Sequence, residues 1–387
     1  DHNYVTDLEP VINRLGLQAY IRSTPGNEIT TRDHFFGHFA VFPLEPLSGQ
    51  PGNGIIPYEK VTAHQMMDAA LKGMHMKLPG VSGFSYVESR RQPAERVLQV
   101  NHPRSGDIGY FDRLGMDPND ATTTHPNWCD RFTAIEVFNG KRVDQFEEAM
   151  RDWMNLLNLG YTFTATGNSD SHKVFDAEPG YPRNYIAAGG NWKGRMSDLP
   201  VDNVVKAVNS RHAVLVTNGP FITFTTNRGT PVGAMETRES GKVGFHVKVE
   251  GANFVQPSSI TLYGNGRVLR KVEFAETPEP VKWQGTLEDE PASDTWYVVV
   301  VRGTRSMFPV VNLLIEGQIT IEAVPLALTN PIWLDRDGDG VCTAINREKF
   351  DLMREDRSGE AIQRLDEMTS QSKQRRLPRR KVTAGES

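Results

Sequence analysis

Short apolar runs alternate with amphipathic stretches over roughly the first 226 residues of the chain. The runs have the length and β-branched content of strands, whereas the stretches carry apolar residues at helical spacing. The predicted helices are "TAHQMMDAALKG", "VDQFEEAMRDWMNLLNLG" and "VDNVVKAVNSRH", and the predicted strands are "LQAYIRS", "HFAVFPL", "RVLQVNHP", "TAIEVFNG", "YTFTATG", "NYIAAGG" and "AVLVTNG". This alternation predicts parallel βαβ units, arranged as a barrel or as a doubly wound sheet. In both architectures, functional sites gather at the carboxyl ends of the strands.

The pattern changes after residue 226. "KVGFHVKVEG" alternates apolar and polar positions, "SSITLYGNGRVLRKVEF" contains the hairpin signal Asn265-Gly266, and "DTWYVVVVRG" reads as a further strand. These runs predict a small antiparallel β-sandwich of about a hundred residues. The predicted organisation is therefore an α/β domain over 1–226, a sandwich-like domain over 227–350, and a charged, disordered tail over 351–387.

Bulk properties narrow the class of protein. A chain of 387 residues with 38% apolar and 24% charged residues is typical of a soluble globular protein of two domains. A net charge of −5 gives no general attraction for nucleic acid, and no apolar run is long enough to span a membrane. Two cysteines, Cys129 and Cys342, exclude a disulfide framework. The compartment (cytoplasmic, periplasmic or secreted) and the oligomeric state stay open. The chain opens on "DHNYVTDLEP" without a methionine or a signal peptide, so we expect the natural start to lie upstream.

The stretch "YTFTATGNSDSHK" places a carboxylate and an imidazole just past a predicted buried strand. In extended backbone, Asp170 and His172 project to the same side, with Ser171 turned away. Such a pair suits a divalent ion of the zinc, manganese or iron kind. The alternative is an ordinary polar loop, because Gly, Asn, Ser and Asp all favour turns.

Four other residues of ligand type stand at predicted strand edges. His102 follows "RVLQV", His38 begins "HFAVFPL", Glu28 ends "IRSTPGNE", and His2 lies at the start of the chain. Because strand ends converge in three dimensions, several such residues together predict a site more strongly than any one alone. The remaining histidines are interpreted as structural: His34, His64, His75, His125, His212 and His246.

The ordered motifs "DHN", "PGNEITT", "GHFAVFPL", "VNHPR", "IEVFNG", "GNSDSH" and "PRNYI" resemble the polymerase-and-histidinol-phosphatase (PHP) superfamily. They look most like its carbaryl-hydrolase (CehA/McbA) branch. The resemblance implies a distorted (βα)7 barrel followed by the β-sandwich domain. It also implies two or three divalent metal ions (Zn, Mn or Fe), with ligands at His2, Glu28, His38, His102, Asp170 and His172. Glu28 and Asp170 would each bridge two ions.

One feature of the family is missing. Its members carry a His-x-His pair on a first strand ahead of "DHN", and no His-x-His occurs in this sequence. Truncation explains the absence better than mutation, so the first strand is expected to be absent too. The ligands that remain could hold one metal through Glu28, His38 and His102, and a second through His2 and His172.

Four further residues are candidates for supporting roles. Arg104 and Arg183 could bind an anionic or carbonyl oxygen of the substrate, since a guanidinium presents a fork of donors. Surface salt bridges are the alternative for both. Asp1 and Glu136 could orient metal ligands from behind, although Glu136 is equally compatible with a core-edge position.

"DRDGDG", from Asp335 to Gly340, resembles the start of an EF-hand loop. The twelfth position would be Asn346, where a bidentate glutamate is expected, so a plain acidic turn is favoured over a weak calcium site. There is no phosphate-binding glycine loop and no "GxSxG" nucleophile elbow.

The sequence therefore predicts a metal-dependent hydrolase of a small-molecule phosphoester or carbamate/amide-type ester. A hydroxide formed on the ions would be the nucleophile, with Asp170 bridging the metals. The alternative is a degenerate, non-catalytic module that binds a metal or a ligand, which the missing first motif favours.

Overall fold

The computed structural model describes residues 1–32, 35–76, 86–88, 95–173, 177–190, 192, 194–210, 212–316 and 318–343. Strands make up 31% of the described residues and helices 17%. The predicted tail at 351–387 and Asn346 of the EF-hand-like motif lie outside the described residues.

The described strands are numbered in chain order. They are β1 (Asn27–Thr30), β2 (His38–Phe42), β3 (Met74–Met76), β4 (Tyr86–Glu88), β5 (Val97–Val100), β6 (Ala134–Asn139), β7 (Thr164–Asn168), β8 (Arg183–Ile186), β9 (Val214–Thr217), β10 (Phe221–Thr226), β11 (Met235–Thr237), β12 (Val243–Glu250), β13 (Ser259–Gly264), β14 (Arg267–Glu273), β15 (Val281–Asp289), β16 (Thr295–Arg302), β17 (Leu314–Glu316), β18 (Ile319–Ile321), β19 (Leu326–Thr329) and β20 (Ile332–Asp335).

The described α-helices are α1 (Glu9–Arg14), α2 (Ala63–Lys72), α3 (Tyr110–Arg113), α4 (Val143–Asn158) and α5 (Val201–Asn209), with short 3₁₀ turns at Pro51–Asn53, Gly106–Ile108 and Met196–Asp198. The three helices predicted from periodicity are α2, α4 and α5. Helix α2 begins with a capping box between Thr62 and Gln65, and it ends at Gly73, whose φ of 64° favours glycine. Helix α4 buries Phe146, Trp153 and Leu157 against the first sheet, as its amphipathic pattern predicted.

The first sheet has five strands in the order β1-β2-β5-β6-β7. Pairs β1–β2 and β2–β5 are antiparallel, whereas β5–β6 and β6–β7 are parallel. Parallel pairing needs a crossover connection, and α4 supplies one between β6 and β7. The carboxyl ends of β5, β6 and β7 therefore meet at one edge of this sheet.

The predicted (βα)7 barrel is wrong. In the described residues the first sheet mixes both strand directions, and β8 and β9 pair with each other in a different sheet. Strand alternating with helix was a correct local pattern, but periodicity does not specify strand partners. Among the described residues, too few of the connections are helical for a ring of βα units, and more residues lie in strands than in helices.

The second sheet runs β11-β20-β16-β19-β9-β8, with β13 and β14 continuing from β16. Strand β14 joins β13 through Asn265-Gly266, which confirms the predicted hairpin. The third sheet, β10-β12-β15, packs on one face of the second sheet. The second sheet also contains β8 and β9, so it extends across the predicted domain boundary near residue 226.

Strand β16 explains how the sheets are layered. Trp296, Val298 and Val300 contribute to the core shared with the first sheet and α4, whereas Tyr297, Val299 and Val301 pack against the third sheet. Both faces of this strand are buried, which accounts for the unbroken apolar run "WYVVVV".

The predicted strand "LQAYIRS" is wrong. Leu17, Tyr20 and Ile21 are exposed, and the segment forms turns and irregular backbone instead. Its apolar residues match strand composition, but no neighbouring strand covers them. Across the described residues, we find no helix with the length and apolar character needed to cross a membrane.

Candidate metal centre

Six predicted ligands lie near the edge of the first sheet where β5, β6 and β7 end; we call them the imidazole cluster (His2, Glu28, His38, His102, Asp170 and His172). His102 follows β5, and Asp170 and His172 follow β7. Because β2 is antiparallel to β5, its first residue His38 lies at the same edge. Local strand direction thus brings residues from distant parts of the sequence together.

The inner part of the cluster consists of Glu28, His38 and His102. His38 Nδ1 lies 3.3 Å from Glu28 Oε1 and 3.2 Å from His102 Nε2, and His102 Nε2 lies 3.9 Å from Glu28 Oε1. Two ligands bound to one tetrahedral ion at about 2.1 Å lie about 3.4 Å apart. The inner spacing is therefore close to that of atoms that share an ion.

The outer part consists of His2 and His172, which are more exposed. Their Nε2 atoms lie 3.4 Å apart, and His2 Nδ1 lies 3.5 Å from Glu28 Oε2. The Thr30 hydroxyl, 2.6 Å from His2 Nδ1, fixes the orientation of that ring. Glu28 directs one oxygen to the inner histidines and the other to His2, so it has the position of a bridging carboxylate.

Asp170 lies at the margin of the imidazole cluster rather than at its centre. Its Oδ2 accepts a hydrogen bond from Asn139 Nδ2 at 3.2 Å, and its Oδ1 is 3.4 Å from His172 Nδ1. Asp170 has a φ of 49° and His102 a φ of 28°, backbone conformations that non-glycine residues rarely adopt. Such backbone strain concentrates at functional sites, which favours a role for both residues.

Electrostatics keep Glu28 and His102 in states that can bind a cation. Burial alone would raise the pKa of the Glu28 carboxyl, but the hydrogen bond with His38 and the charge of His2 lower it to about 2. Burial, reinforced by the nearby His38, lowers the pKa of His102. A carboxylate and a neutral imidazole are the forms that metal binding requires at neutral pH.

The chemistry of these residues fits a divalent metal. One donor atom each from His2, Glu28 and His38 lies within 4.8 Å of the others. Two imidazoles and one carboxylate form a donor set used by zinc and iron sites. In addition, Nδ1 of the buried His102 has no hydrogen-bond partner in the described part of the chain.

Glu136 supports His102 from behind. It is fully buried on β6, and its Oε2 accepts the backbone N–H of His102 at 2.6 Å. Burial raises the pKa of Glu136 to about 8, although the hydrogen bond from Asn168 and that from His102 oppose the rise. Glu136 thus holds the backbone of a candidate ligand.

Three asparagines at strand ends were missed by sequence reasoning. Asn101 donates to Glu28 Oε1 at 3.2 Å, Asn168 donates to Glu136 Oε1 at 2.9 Å, and Asn139 donates to both Glu136 and Asp170. The signal was present in "LQVN", "EVFN" and "TATGN", since each strand of the parallel set is closed by an asparagine.

Arg104 has a different environment from the one we expected. Its guanidinium donates to Asp152 Oδ2 at 2.5 Å and Oδ1 at 2.9 Å, to Asp112 at 3.0 Å, and to the carbonyl of Met116. Asp152 is completely buried on α4. These four hydrogen bonds join helix α4 to α3 and to the loop after α3, in place of the substrate contact that the sequence suggested.

The described contacts of Arg183 and Asp1 are with groups other than the side chains of the imidazole cluster. The Arg183 guanidinium contacts the rings of Tyr181 and Tyr185 and donates to the carbonyl of Gly180. The Asp1 side chain accepts from the Thr6 hydroxyl, while its carbonyl accepts the N–H of Glu28 at 3.3 Å. Asp1 therefore touches the backbone of a candidate ligand and not its carboxylate.

A cavity of about 400 Å³ opens beside the imidazole cluster. His102, Asp170 and His172 form one side of it, and Gln145, Tyr181 and Leu314 are among the residues on the others. A second cavity, of about 410 Å³, reaches Glu28, Asn101 and Asp170 from elsewhere on the sheet. The cluster is thus accessible to a small molecule.

Lys141 fastens the wall of the first cavity. The buried ammonium donates to Glu178 Oε2 at 2.6 Å and to the carbonyl of Asn312 at 2.7 Å. Glu178 in turn accepts the N–H of Asn312 at 2.7 Å. These bonds hold the segment that carries Leu314 against the loop after β6.

The "DRDGDG" motif contributes to a second group of acidic residues, the aspartate cluster (Asp294, Asp335 and Asp337). Asp335 accepts the N–H groups of Gly338 and Gly340, and Asp294 accepts those of Arg336 and Thr343. These bonds close an acidic turn.

Comparison with known proteins found no family model, no curated protein and no solved structure that matches this chain.

Proposed function

We propose that this protein is a metal-dependent hydrolase whose centre is the imidazole cluster. The convergence of four histidines and two carboxylates at one sheet edge, next to a cavity, is the observation that carries the proposal. The resemblance of the sequence motifs to the PHP superfamily supports it independently of the fold.

The proposed roles follow from the contacts. Glu28, His38 and His102 would bind one divalent ion, and His2, Asp170 and His172 would take part in binding a second, with Glu28 between them. Asn101 orients the Glu28 carboxylate, and Glu136 fixes the backbone at His102. Bound zinc, manganese or iron would supply Lewis acidity and make water a stronger nucleophile near neutral pH.

The substrate would enter the cavity beside Asp170. Its reacting centre would lie near His102 and His172, and the remainder would contact the wall formed by Tyr181 and Leu314. Phosphoesters and carbamate or amide-type esters both suit such a site, since both need a polarised oxygen and an activated water.

Metal content and turnover test the proposal together. We expect the protein, after dialysis against zinc or manganese, to retain metal by mass spectrometry and to hydrolyse bis(4-nitrophenyl) phosphate or a 4-nitrophenyl carbamate. His38→Ala should lower both quantities, and His246→Ala, which changes a distant histidine, should lower neither.

The outcomes separate the alternatives. Stoichiometric metal without turnover on either substrate class would favour the non-catalytic module. Absence of bound metal in the parent protein, with correct folding shown by circular dichroism, would overturn both versions of the metal-binding proposal.

A further inference from the structure

A third cavity shares no lining residue with the two cavities at the imidazole cluster and has no part in the proposed hydrolysis. Its volume is about 330 Å³. It is enclosed by the second sheet, by the end of helix α4, and by the loop at Gly340–Thr343 that follows β20.

The floor of this cavity is a row of side chains across neighbouring strands. Trp333 pairs directly with Trp296 on one side and with Met235 on the other. Residues that lie directly opposite on adjacent strands project to the same face of a sheet. Both indoles and the methionine therefore face the same space.

One indole is fixed in orientation. Trp296 is buried, and its Nε1–H donates to Asn158 Oδ1 at 2.9 Å. Asn158 also donates to the carbonyl of Asn265 at 3.2 Å, which joins the end of α4 to the β13–β14 hairpin. The polar edge of the Trp296 ring is thereby satisfied.

The surroundings of the cavity are electronegative. Helix α4 ends there, and the carboxyl end of a helix carries a partial negative charge. Cys342 lies on the cavity wall, and burial together with the charges of Asp294, Asp335 and Asp339 raises the pKa of its thiol to about 12. No lysine or arginine occurs among the described residues that line the cavity.

We propose that this cavity binds a small organic cation, such as a quaternary or alkyl ammonium group, over the face of Trp333 and beside Trp296. An ammonium group is attracted by the face of an indole ring, with tryptophan the strongest partner among aromatic residues. The helix end and the acidic turn favour the same charge, and the apolar floor accommodates methyl groups.

Choline and its neutral isostere, 3,3-dimethylbutan-1-ol, test the charge requirement directly. The two molecules have nearly the same shape, and only choline carries a positive charge. Ligand-observed saturation-transfer NMR on the full chain should give saturable binding of choline, with the isostere weaker by at least about fivefold.

Variants locate the binding site. Trp333→Leu should weaken choline binding by about fivefold or more, since it removes one ring. Trp283→Leu is the matched control, because Trp283 is also half-buried but belongs to β15 in the third sheet. It should bind choline as the parent does.

A second pair of variants covers the case in which Trp333→Leu does not fold. Val341 is exposed at the rim of the cavity, so a polar replacement there is compatible with folding. Val341→Lys places a positive charge at the entrance and should abolish choline binding, whereas Val341→Gln should retain it.

Three results would overturn the proposal. They are equal binding of choline and its isostere, unchanged choline binding by folded Trp333→Leu or Val341→Lys, and no choline binding by the parent protein. Because the imidazole cluster is elsewhere, each result is independent of whether the protein hydrolyses any ester.

Discussion

The imidazole cluster and the aspartate cluster both gather residues that bind metals, but they use their donor atoms differently. In the aspartate cluster, Asp294 and Asp335 each accept at least two backbone N–H groups, so their oxygens already have strong partners. In the imidazole cluster, nitrogen and oxygen atoms of side chains from separate strands lie 3.2–3.5 Å from one another. The proximity of residues that can bind metals therefore does not identify a metal site by itself. The hydrogen-bond partners of their oxygen and nitrogen atoms must also be compared.

The difference has a physical cause. A turn brings backbone N–H groups to a carboxylate within a few residues, and an Asp in the turn satisfies them locally. Strand edges instead bring together side chains that are remote in sequence, and no turn supplies their partners. The first arrangement stabilises a local turn, whereas the second depends on the tertiary packing of separate strands.

Asp170→Asn should have the largest effect on function. The substitution keeps the shape and removes the charge, and asparagine tolerates the positive φ at this position well. We expect bound metal to fall by at least one ion and hydrolysis of the accepted ester to fall by more than about 100-fold. Mass spectrometry and a chromogenic assay measure the two quantities.

Asp335→Asn is the matched change in the other cluster. It should leave metal content and turnover unchanged while lowering the melting temperature, because an amide cannot accept from the Gly338 and Gly340 N–H groups and from Thr237 as well. Full metal and full turnover in Asp170→Asn, or loss of both in Asp335→Asn, would reverse the comparison between the clusters.

Arg104→Met extends the comparison to a residue whose guanidinium donates four hydrogen bonds to other parts of the protein. Asp152, completely buried, would lose its main cationic partner. We expect the free energy of unfolding to fall by about 3–5 kcal/mol, with KM for the substrate unchanged in the protein that remains folded. Urea denaturation and steady-state kinetics provide the measurements.

A double variant separates packing from charge. Arg104→Met with Asp152→Leu removes the buried carboxylate together with its partner and should recover much of the lost stability. An increase of KM in Arg104→Met without any loss of stability would instead support the substrate-binding role expected from the sequence.

Asn139→Ala should have an intermediate effect. Asn139 donates hydrogen bonds to the side-chain carboxyl groups of both Glu136 and Asp170. Its removal leaves the Asp170 side chain without this hydrogen bond. Loss of such an orienting partner typically lowers metal affinity by about 10–100-fold. A competition titration with a chromophoric chelator measures it, with Asn155→Ala on the exposed side of α4 as the control. Equal affinities in the two variants would show that Asn139 does not orient the cluster.

Sequence reasoning located local elements better than their partners. The strands around His38, His102 and Glu136 and the helix α4 follow from periodicity, because burial on one face dictates the pattern. The placement of β8 and β9 in the second sheet did not, since strand pairing is decided by contacts remote in sequence. "LQAYIRS" had strand composition, yet its exposed Tyr20 shows that no sheet face covers it.

The members of the candidate site could be predicted from local sequence, whereas their tertiary partners could not. Residue type and strand ends selected the six members of the imidazole cluster, and the structure brings them to one region. Sequence could not distinguish Arg104, whose donors are used by Asp152 and Asp112, from an arginine that faces a cavity. The partner of a charged side chain is a tertiary property.

His246→Ala should have the smallest effect and therefore marks the lower limit of the comparison. His246 lies on β12 in the third sheet, with its ring exposed and 3.3 Å from the Thr286 hydroxyl. An exposed side chain with one weak neighbour contributes within about 0.5 kcal/mol to stability. Metal content, turnover and choline binding should all equal those of the parent. The third sheet packs on the face of the second sheet that is opposite the first sheet. A loss of hydrolysis as large as that in His38→Ala would show that the catalytic centre involves the third sheet. The imidazole cluster would then have a structural role only.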